Sequence, residues 1–381
     1  MKKVFLVLKE DIVGYPPVLS IMQALLDLNV QVDVVGSYSD QEQRMRYEKK
    51  GVKFSDLKPY NGFTSLPSKL SQMISYQRYV KNYLSENCQK DDIVWIMLAE
   101  NVFLFADIIK KYKTILHFFE YVDPKINWKY KILNPFFDMG QACREAYRIV
   151  CCEYNRAHIT KGIFGLNELP IVLPNKFFAD DSELSNPPIE VQNLVREIKE
   201  KAEGKRIILY QGIFLDKERR LEEFIQAVNS LGDNYVLIAM GRGSQMYDDL
   251  KKKYSSDKII FIDFIKPPYH LLITRLAKIG ILSYFPRPKS MGSVINPLYC
   301  APNKIFEYSR YSIPMISNDV PALMSAFKEY HCGEVVTYPM TPDKISEKIE
   351  YILNNYEEYS VGAKAYYDSV DVIKIVNDII A

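Results

Sequence analysis

Short apolar runs alternate with stretches of helical period from the start of the chain. Residues 4–8 form one continuous apolar run and residues 32–36 form a second, while residues 18–28 between them place Ile21 and Leu25 on one helical face. Continuous apolar strands separated by amphipathic helices are typical of parallel sheets that helices cover on both faces. The pattern therefore predicts a β-α-β unit at the start of the chain.

The alternation continues along the rest of the chain, with one interruption. Further strands are predicted at residues 93–97, 114–119, 148–152, 171–173, 206–210, 235–240, 258–262, 279–284 and 313–317. Residues 180–188 are polar, acidic and proline-bearing, which breaks the periodicity and marks a connection. The predicted fold class is α/β, with two doubly wound Rossmann-like domains that face each other across a cleft.

The interruption also sets the predicted domain boundaries. We expect an N-terminal domain over residues 1–180, a linker and first helix over residues 181–204, and a second domain over residues 205–365. Residues 366–381 end the chain with a helix whose apolar side chains form one broad face. Because such a face must be covered, this helix is expected to pack back on the N-terminal domain.

Composition narrows the class of protein. Hydrophobic residues make up 48% and charged residues 25% of the 381 residues, which is typical of soluble globular proteins. A formal charge of +2 argues against a nucleic-acid partner. The six cysteines lack the paired spacing of metal ligands, and no apolar stretch approaches about 20 residues. We expect a cytoplasmic protein without a metal or cofactor, and leave contact with the inner face of the cell membrane open.

Ligands of parallel sheets bind at the carboxyl ends of the strands, so the candidate chemistry is sought there. In the second domain, Gly212 follows the first predicted strand and leads to Arg219, which is expected to open the next helix beside an anion. Gly241 follows the second strand in a Gly-x-Gly turn, a weak phosphate-binding signal. Phe264 follows the third strand, where backbone groups could contact a nucleotide base.

The most informative run is Pro-Asn-Lys-Ile-Phe-Glu-Tyr over residues 302–308. Pro302 is suited to a helix start and Asn303 to its cap, which leaves free backbone N–H groups directed at an anion. Glu307 lies one turn further, where its carboxylate can accept hydrogen bonds from both hydroxyls of a ribose. The alternative interpretation is a surface glutamate on an amphipathic helix.

At these residues the chain resembles the retaining, family-4-like glycosyltransferases of the two-Rossmann-domain (GT-B) type. The resemblance rests on the order and spacing of residues 302–308 with Ile313-Pro314, the turn from Gly212 to Arg219, the glycines after Met240, and Pro174-Asn175. It implies that Glu307 binds the donor ribose and that Arg219 contacts the donor diphosphate. It also implies that Asn303 and Lys304 cradle the same diphosphate.

Two positions depart from the family pattern. Many relatives carry a second glutamate where this chain has Tyr299, and an arginine where it has Ile213. The first departure leaves the contacts of the transferred sugar open, and the second leaves Arg219 with more of the phosphate charge.

In the N-terminal domain, His117 and Glu120 lie at the end of the predicted strand 114–119. Relatives present polar side chains there toward the acceptor, so both residues are candidate catalytic groups. A lone histidine beside a strand is otherwise a structural residue.

The resemblance implies transfer of a glycosyl group from a nucleotide diphosphate sugar, with a UDP-sugar favoured, to a hydroxyl of a glycan or lipid-linked acceptor. Retention at the anomeric carbon and a role in surface polysaccharide biosynthesis are implied with it. The alternatives are a non-catalytic nucleotide-sugar-binding partner of another transferase, a nucleotide-sugar epimerase and a phosphorylase.

Residues 69–87 bear on peripheral membrane contact. They combine an apolar face with the cations Lys69, Arg78 and Lys81. Such a helix either packs on a sheet or lies on an anionic membrane.

Overall fold

Two parallel β-sheets organise the part of the chain that the computed structural model describes, which comprises residues 2–55, 57, 65–125, 134–177, 184–215 and 217–381. The chain divides into two units. The first unit contains Met1–Asn175 and Asp371–Ala381, and the second contains Lys176–Val370. The predicted boundary at residue 180 lies in residues 178–183, outside the described residues.

The first unit is built on a seven-stranded sheet with the order β3-β2-β1-β4-β5-β6-β7. Its strands are β1 (Lys3–Asp11), β2 (Gln31–Ser37), β3 (Lys53–Phe54), β4 (Ile93–Met97), β5 (Lys113–Phe118), β6 (Arg148–Cys151) and β7 (Ile171–Val172). Its helices are α1 (Pro16–Asp27), α2 (Gln41–Lys49), α3 (Leu66–Asn87), α4 (Ala99–Val102), α5 (Ala106–Lys111), α6 (Met139–Glu145) and α7 (Tyr154–Phe164).

The second unit is built on a six-stranded sheet with the order β10-β9-β8-β11-β12-β13. Its strands are β8 (Arg206–Ile213), β9 (Tyr235–Arg242), β10 (Ile259–Asp263), β11 (Ile279–Leu282), β12 (Met315–Asn318) and β13 (Gly333–Val336). Its helices are α8 (Ile189–Lys201), α9 (Glu222–Ser230), α10 (Gln245–Tyr254), α11 (Leu271–Thr274), α12 (Met291–Leu298), α13 (Asn303–Arg310), α14 (Pro321–Tyr330), α15 (Pro342–Asn354) and α16 (Tyr356–Asp368).

The predicted fold class is confirmed, since both sheets are parallel and both have helices packed against them. In the second unit the strand order reverses between β8 and β11, because β9 and β10 lie on one side of β8 and β12 and β13 lie beyond β11. Reversals of this kind open a crevice at the carboxyl ends of the strands.

The last helix, α17 (Val372–Ile380), belongs to the first unit and contacts α1. Val376 and Ile379 on its apolar face are fully buried. The Lys2 ammonium also donates a hydrogen bond to the Ile380 carbonyl oxygen. The end of the chain is therefore part of the first unit's packing.

Helix α3 uses its apolar face inside the first unit. Met73, Tyr76, Val80 and Leu84 are buried in the core that this helix forms with the sheet. This packing favours the core alternative over the membrane alternative for residues 69–87.

One close contact in the second unit gives a stability prediction. A Cβ atom added at Gly280 on β11 would lie 2.4 Å from the ring of Tyr308, which is fully buried. The Tyr308 hydroxyl also donates to the Leu209 carbonyl oxygen at 3.1 Å, so the ring cannot move away without losing a buried hydrogen bond. We expect Gly280→Ala to destabilise the protein by about 1–3 kcal/mol, measured as a lower midpoint of urea unfolding.

Gly243→Ala is the matched control, because a Cβ there meets no atom within 4 Å. Its midpoint should stay close to that of the parent. Equal midpoints for the two variants would contradict the assigned contact.

Candidate functional site

A pocket of about 220 Å³ lies in the second unit at the carboxyl ends of its strands. The pocket is lined by Gln211, Gly212, Met240, Gly241, Phe264, Ile265, Pro267, His270, Tyr284, Pro302, Asn303, Lys304 and Glu307. Six of the residues predicted to bind the donor are among them: Gly212, Gly241, Phe264, Asn303, Lys304 and Glu307.

Glu307 on α13 is buried, with 8% of its surface exposed, and it faces the pocket. The Gln211 side-chain amide donates a hydrogen bond to its Oε2 at 2.5 Å, and His270 Nε2 lies 3.3 Å from its Oε1. Burial by itself would raise the pKa of the Glu307 carboxyl, but His270, Gln211 and the Lys304 charge outweigh burial and hold that pKa below its ordinary value. Glu307 is therefore an ionised pocket residue, and the surface alternative is wrong.

Lys304 lies on the same helix and points its side chain at the Gly212 turn. Its Nζ lies 2.6 Å from the position that a Cβ would take at Gly212, and 4.7 Å from the centre of the Tyr210 ring. Burial and the neighbouring Arg219 lower the pKa of Lys304 to about 7. In the described part of the chain, no carboxylate forms a salt bridge with this ammonium group. Lys304 is therefore a basic residue of the pocket wall that no carboxylate of the described residues neutralises through a salt bridge.

A side chain at position 212 is disfavoured for two reasons. The φ of Gly212 is +133°, a value that residues with a side chain rarely adopt, and a Cβ atom there would collide with the Lys304 side chain. Gly241 serves a different purpose, because a Cβ there would lie 1.8 Å from the Gly212 carbonyl oxygen. The two glycines thus allow β8 and β9 to run close together at the pocket.

Arg219 lies beside the pocket wall. Its guanidinium lies 4.1 Å from the centre of the Tyr284 ring and pairs with Glu218 at 2.8 Å. Glu218 also pairs with Arg287 at 2.8 Å, so one carboxylate holds two arginines. The expectation that Arg219 opens a helix is wrong: α9 begins at Glu222 with Leu221 as its N-cap, and Arg219 lies in a bend between β8 and α9.

The start of α13 also differs from the prediction. Pro302 is the N-cap, Asn303 is the first helical residue, and no side chain caps the helix. Pro302 has the extended backbone of a cap residue, so the cap falls one residue earlier than expected. The geometry of an α-helix then leaves the first-turn N–H groups without intrahelical acceptors, and Asn303 itself lines the pocket.

Sequence reasoning missed Gln211 and His270, which hold the Glu307 carboxylate. Gln211 carried a weak signal, since it precedes Gly212 at a strand end. His270 precedes the short helix α11 and carried none, because only folding brings it to α13. Phe264, by contrast, was predicted and lines the pocket with 46% of its surface exposed.

The candidate catalytic residues of the first unit lie in contrasting surroundings. His117 on β5 is fully buried, with its ring 4.3 Å from that of Phe119 and 6.0 Å from that of Trp95. Burial lowers the pKa of His117 to about 3, so the ring is neutral at physiological pH. Both ring nitrogens lack hydrogen-bond partners within the described residues. Glu120 is exposed beyond the end of the strand, and the roles of both residues stay predictions.

Among the residues that the structure describes, no group of three or more histidine, cysteine, aspartate or glutamate side chains could hold a metal ion. No helix among the same residues has both the length and the apolar character needed to cross a membrane.

Residues 191–366, nearly all of the second unit, match the family model of the glycosyl transferases group 1. With the two Rossmann-like sheets, this match identifies the chain as a glycosyltransferase with the GT-B fold. The second unit is its group 1 glycosyl transferase domain. A search of curated proteins gave no significant match to the chain.

Solved structures support the fold over the full length of the chain. HepE from Anabaena, in complex with UDP-glucose, is 13% identical with a TM-score of 0.68, and the match covers 100% of this chain and 98% of HepE. A glycosyltransferase from Rickettsia africae is 11% identical with a TM-score of 0.69, covering 100% of this chain and 97% of its own. WaaG, a glycosyltransferase involved in lipopolysaccharide biosynthesis, is 12% identical with a TM-score of 0.58, covering 99% and 98%.

The lowered pKa of Lys304 gives a pH prediction. An unfolded lysine titrates at about 10.4, so folding weakens proton binding at this site and costs stability. That cost is complete below about pH 7 and declines as the pH rises from about 7 to about 10. Replacing Lys304 with Met removes the cost. The thermal midpoint of Lys304→Met should therefore exceed that of the parent most at about pH 6, and the gap should narrow towards about pH 9.

Lys252 is exposed on α10 and provides the control. The difference in thermal midpoint between Lys252→Met and the parent should be the same at about pH 6 and at about pH 9. A difference in thermal midpoint between Lys304→Met and the parent that does not change with pH would contradict the lowered pKa of Lys304.

Proposed function

We propose that this glycosyltransferase moves a sugar from a nucleoside diphosphate sugar, with a UDP-sugar favoured, to a hydroxyl of a glycan or lipid-linked acceptor. The observation that carries the proposal is that the ionised Glu307 carboxylate and the basic Lys304 side chain both lie on the first turns of one helix and line one pocket. A ribose requires hydrogen-bond acceptors and a diphosphate requires positive charge. Helix α13 supplies both at a spacing of one turn.

The ribose fits the Glu307 end of the pocket. An ionised carboxylate accepts hydrogen bonds through both oxygens, and vicinal hydroxyls donate two in parallel. Phe264 and Ile265 provide apolar surface along the same pocket for the base. HepE, which has the same fold, has been solved with UDP-glucose, and this supports uridine as the base.

The diphosphate fits the Lys304 end. Lys304, Arg219 and the first-turn N–H groups of α13 provide a fixed positive environment beside Gly212. Charge develops on the departing diphosphate as the glycosidic bond breaks, and preorganised cations and helix N-termini stabilise such charge. We therefore propose that transfer does not depend on a divalent ion.

The finer parts of the proposal concern the acceptor. We assign His117 and Glu120 to the catalytic or acceptor side, where a neutral His117 would act through hydrogen bonds and not as a charged acid. Retention at the anomeric carbon and a role in surface polysaccharide synthesis belong to the proposal, the latter supported by the likeness to WaaG. We place the reaction in the cytoplasm, at the inner face of the membrane if the acceptor is lipid-linked.

Replacing Glu307 tests the ribose assignment. Saturating UDP should raise the thermal midpoint of the parent, because ligand at 100 times its Kd stabilises by about 2.7 kcal/mol. Glu307→Ala removes two hydrogen bonds to a charged group, so UDP affinity should fall by about 100-fold or more and the shift should vanish. The thermal midpoint of each variant is measured with and without UDP, so that the effect of binding is separated from the variant's intrinsic stability.

Glu350 is exposed on α15, so Glu350→Ala is the control and should keep the full shift. A normal UDP shift in Glu307→Ala would remove the ribose assignment. Release of free nucleoside diphosphate without an acceptor, together with an epimerised sugar, would identify an epimerase, and binding without turnover would identify a non-catalytic partner.

Replacing Arg219 tests the diphosphate assignment. Arg219→Met removes one cation beside the pocket, so UDP affinity should fall by about 10-fold while uridine affinity stays unchanged. Titration calorimetry with both ligands measures the two affinities. Arg196→Met, on the exposed face of α8, should alter neither. Equal losses of UDP and uridine binding would indicate a structural role for Arg219.

A further inference from the structure

A chain of buried hydrogen bonds, from Thr274 through Gln211, holds the Glu307 carboxylate in place. The Thr274 hydroxyl donates to Gln211 Oε1 at 2.7 Å, and Gln211 Nε2 donates to Glu307 Oε2 at 2.5 Å. His270 Nε2 lies 3.3 Å from the other carboxylate oxygen, Oε1. Thr274 and Gln211 are almost completely buried. Two separate segments, β8 and the turn from His270 to Thr274, therefore converge on the carboxylate that α13 carries.

Chemistry fixes the orientation of each group in this chain. If the Gln211 amide were turned over, its oxygen would face the carboxylate and two acceptors would meet without a proton. The Thr274 hydroxyl lies 2.7 Å from Gln211 Oε1 and 3.2 Å from the His270 carbonyl oxygen, and it can donate to either, so the carboxylate is what sets the orientation of the Gln211 amide. His270 Nδ1 is enclosed and has no hydrogen-bond partner in the described part of the chain, so the ring's donor is Nε2–H, directed at Glu307.

The Glu307 carboxylate keeps part of its hydrogen-bond acceptor capacity for the pocket. Each carboxylate oxygen has two lone pairs. Gln211 uses one on Oε2, and His270 uses one on Oε1. One lone pair per oxygen stays available to the pocket, and the carboxylate cannot rotate to turn both toward the protein. The arrangement is matched to two adjacent hydroxyl groups and leaves an unpaired buried acceptor if one of them is missing.

We infer that Gln211 and His270 are positioning residues that make this pocket select ribonucleoside diphosphates over 2′-deoxyribonucleoside diphosphates. The inference rests on the proposed function and narrows its substrate class. A 2′-deoxyribose leaves one lone pair of a buried charge without a donor, and sites built to bind a hydroxyl reject analogues that lack it. Sugar donors built on 2′-deoxythymidine diphosphate are therefore expected to bind more weakly than their ribose counterparts.

The test compares the Kd of UDP with that of 2′-deoxy-UDP by titration calorimetry. In the parent, 2′-deoxy-UDP should bind about 10-fold or more weaker than UDP. His270→Phe keeps a ring but removes the donor, and Gln211→Leu removes the amide. Each variant frees the carboxylate to rotate, so the ratio of the two Kd values should fall to about 3 or less. His270→Gln keeps an N–H donor and should restore part of the ratio.

His158→Phe provides the matched control, because His158 is exposed in the first unit and the ratio should equal that of the parent. The ratio is the deciding measurement, since a purely structural role would weaken both ligands equally and leave it unchanged. If His270→Phe does not fold, His270→Gln and Gln211→Leu carry the test.

Three results would overturn the inference. Equal binding of UDP and 2′-deoxy-UDP by the parent would show that the pocket does not select ribose. A parent-like ratio in both His270→Phe and Gln211→Leu would remove their positioning role while leaving the proposed function intact. Failure of the parent to bind any of the UDP, GDP, ADP and CDP series would overturn the proposed function, and the inference with it.

Discussion

A buried negative charge is the interaction on which the second unit's pocket depends. Removing an ionised carboxylate from water costs several kcal/mol unless partners compensate for the lost hydration. Glu307 has these partners on both oxygens, and they come from β8 and from the residue that precedes α11. The strand order brings these segments together, because β8 lies at the point where the sheet reverses. The fold is thus what allows an ionised glutamate to face the pocket.

The placement of basic side chains in the pocket depends on a second constraint. The absence of a side chain at Gly212 leaves the space that the Lys304 ammonium group occupies. Relatives in the resembled family carry an arginine where this chain has Ile213, and Ile213 is exposed. The Lys304 ammonium lies against the Gly212 backbone instead, and Arg219 lies over the Tyr284 ring nearby. Glu218 holds Arg219 together with Arg287. The basic side chains beside Gly212 therefore come from α13 and from a neighbouring loop.

The strands with continuous apolar sequence could be predicted from the chain itself. The predicted strand at residues 93–97 coincides with β4, and those of the second domain overlap β8 to β12. Two strands were missed. β3 has two residues, and β13 reads Gly-Glu-Val-Val, so neither carries an apolar run long enough to stand out. Each pairs with a neighbouring strand that the pattern did predict, β2 for β3 and β12 for β13, and local sequence does not report such pairing.

The sequence by itself determined the α/β class, the candidate role of residues 302–308 and the cluster of predicted donor-binding residues, because periodicity and strand-end motifs are local properties. The tertiary structure decided which side of α3 is covered, that α17 belongs to the first unit, and that His117 is enclosed. It also decided that Thr274, Gln211 and His270 support Glu307. These contacts join residues far apart in the chain, and only the packing of the second unit places their donors at hydrogen-bond distance.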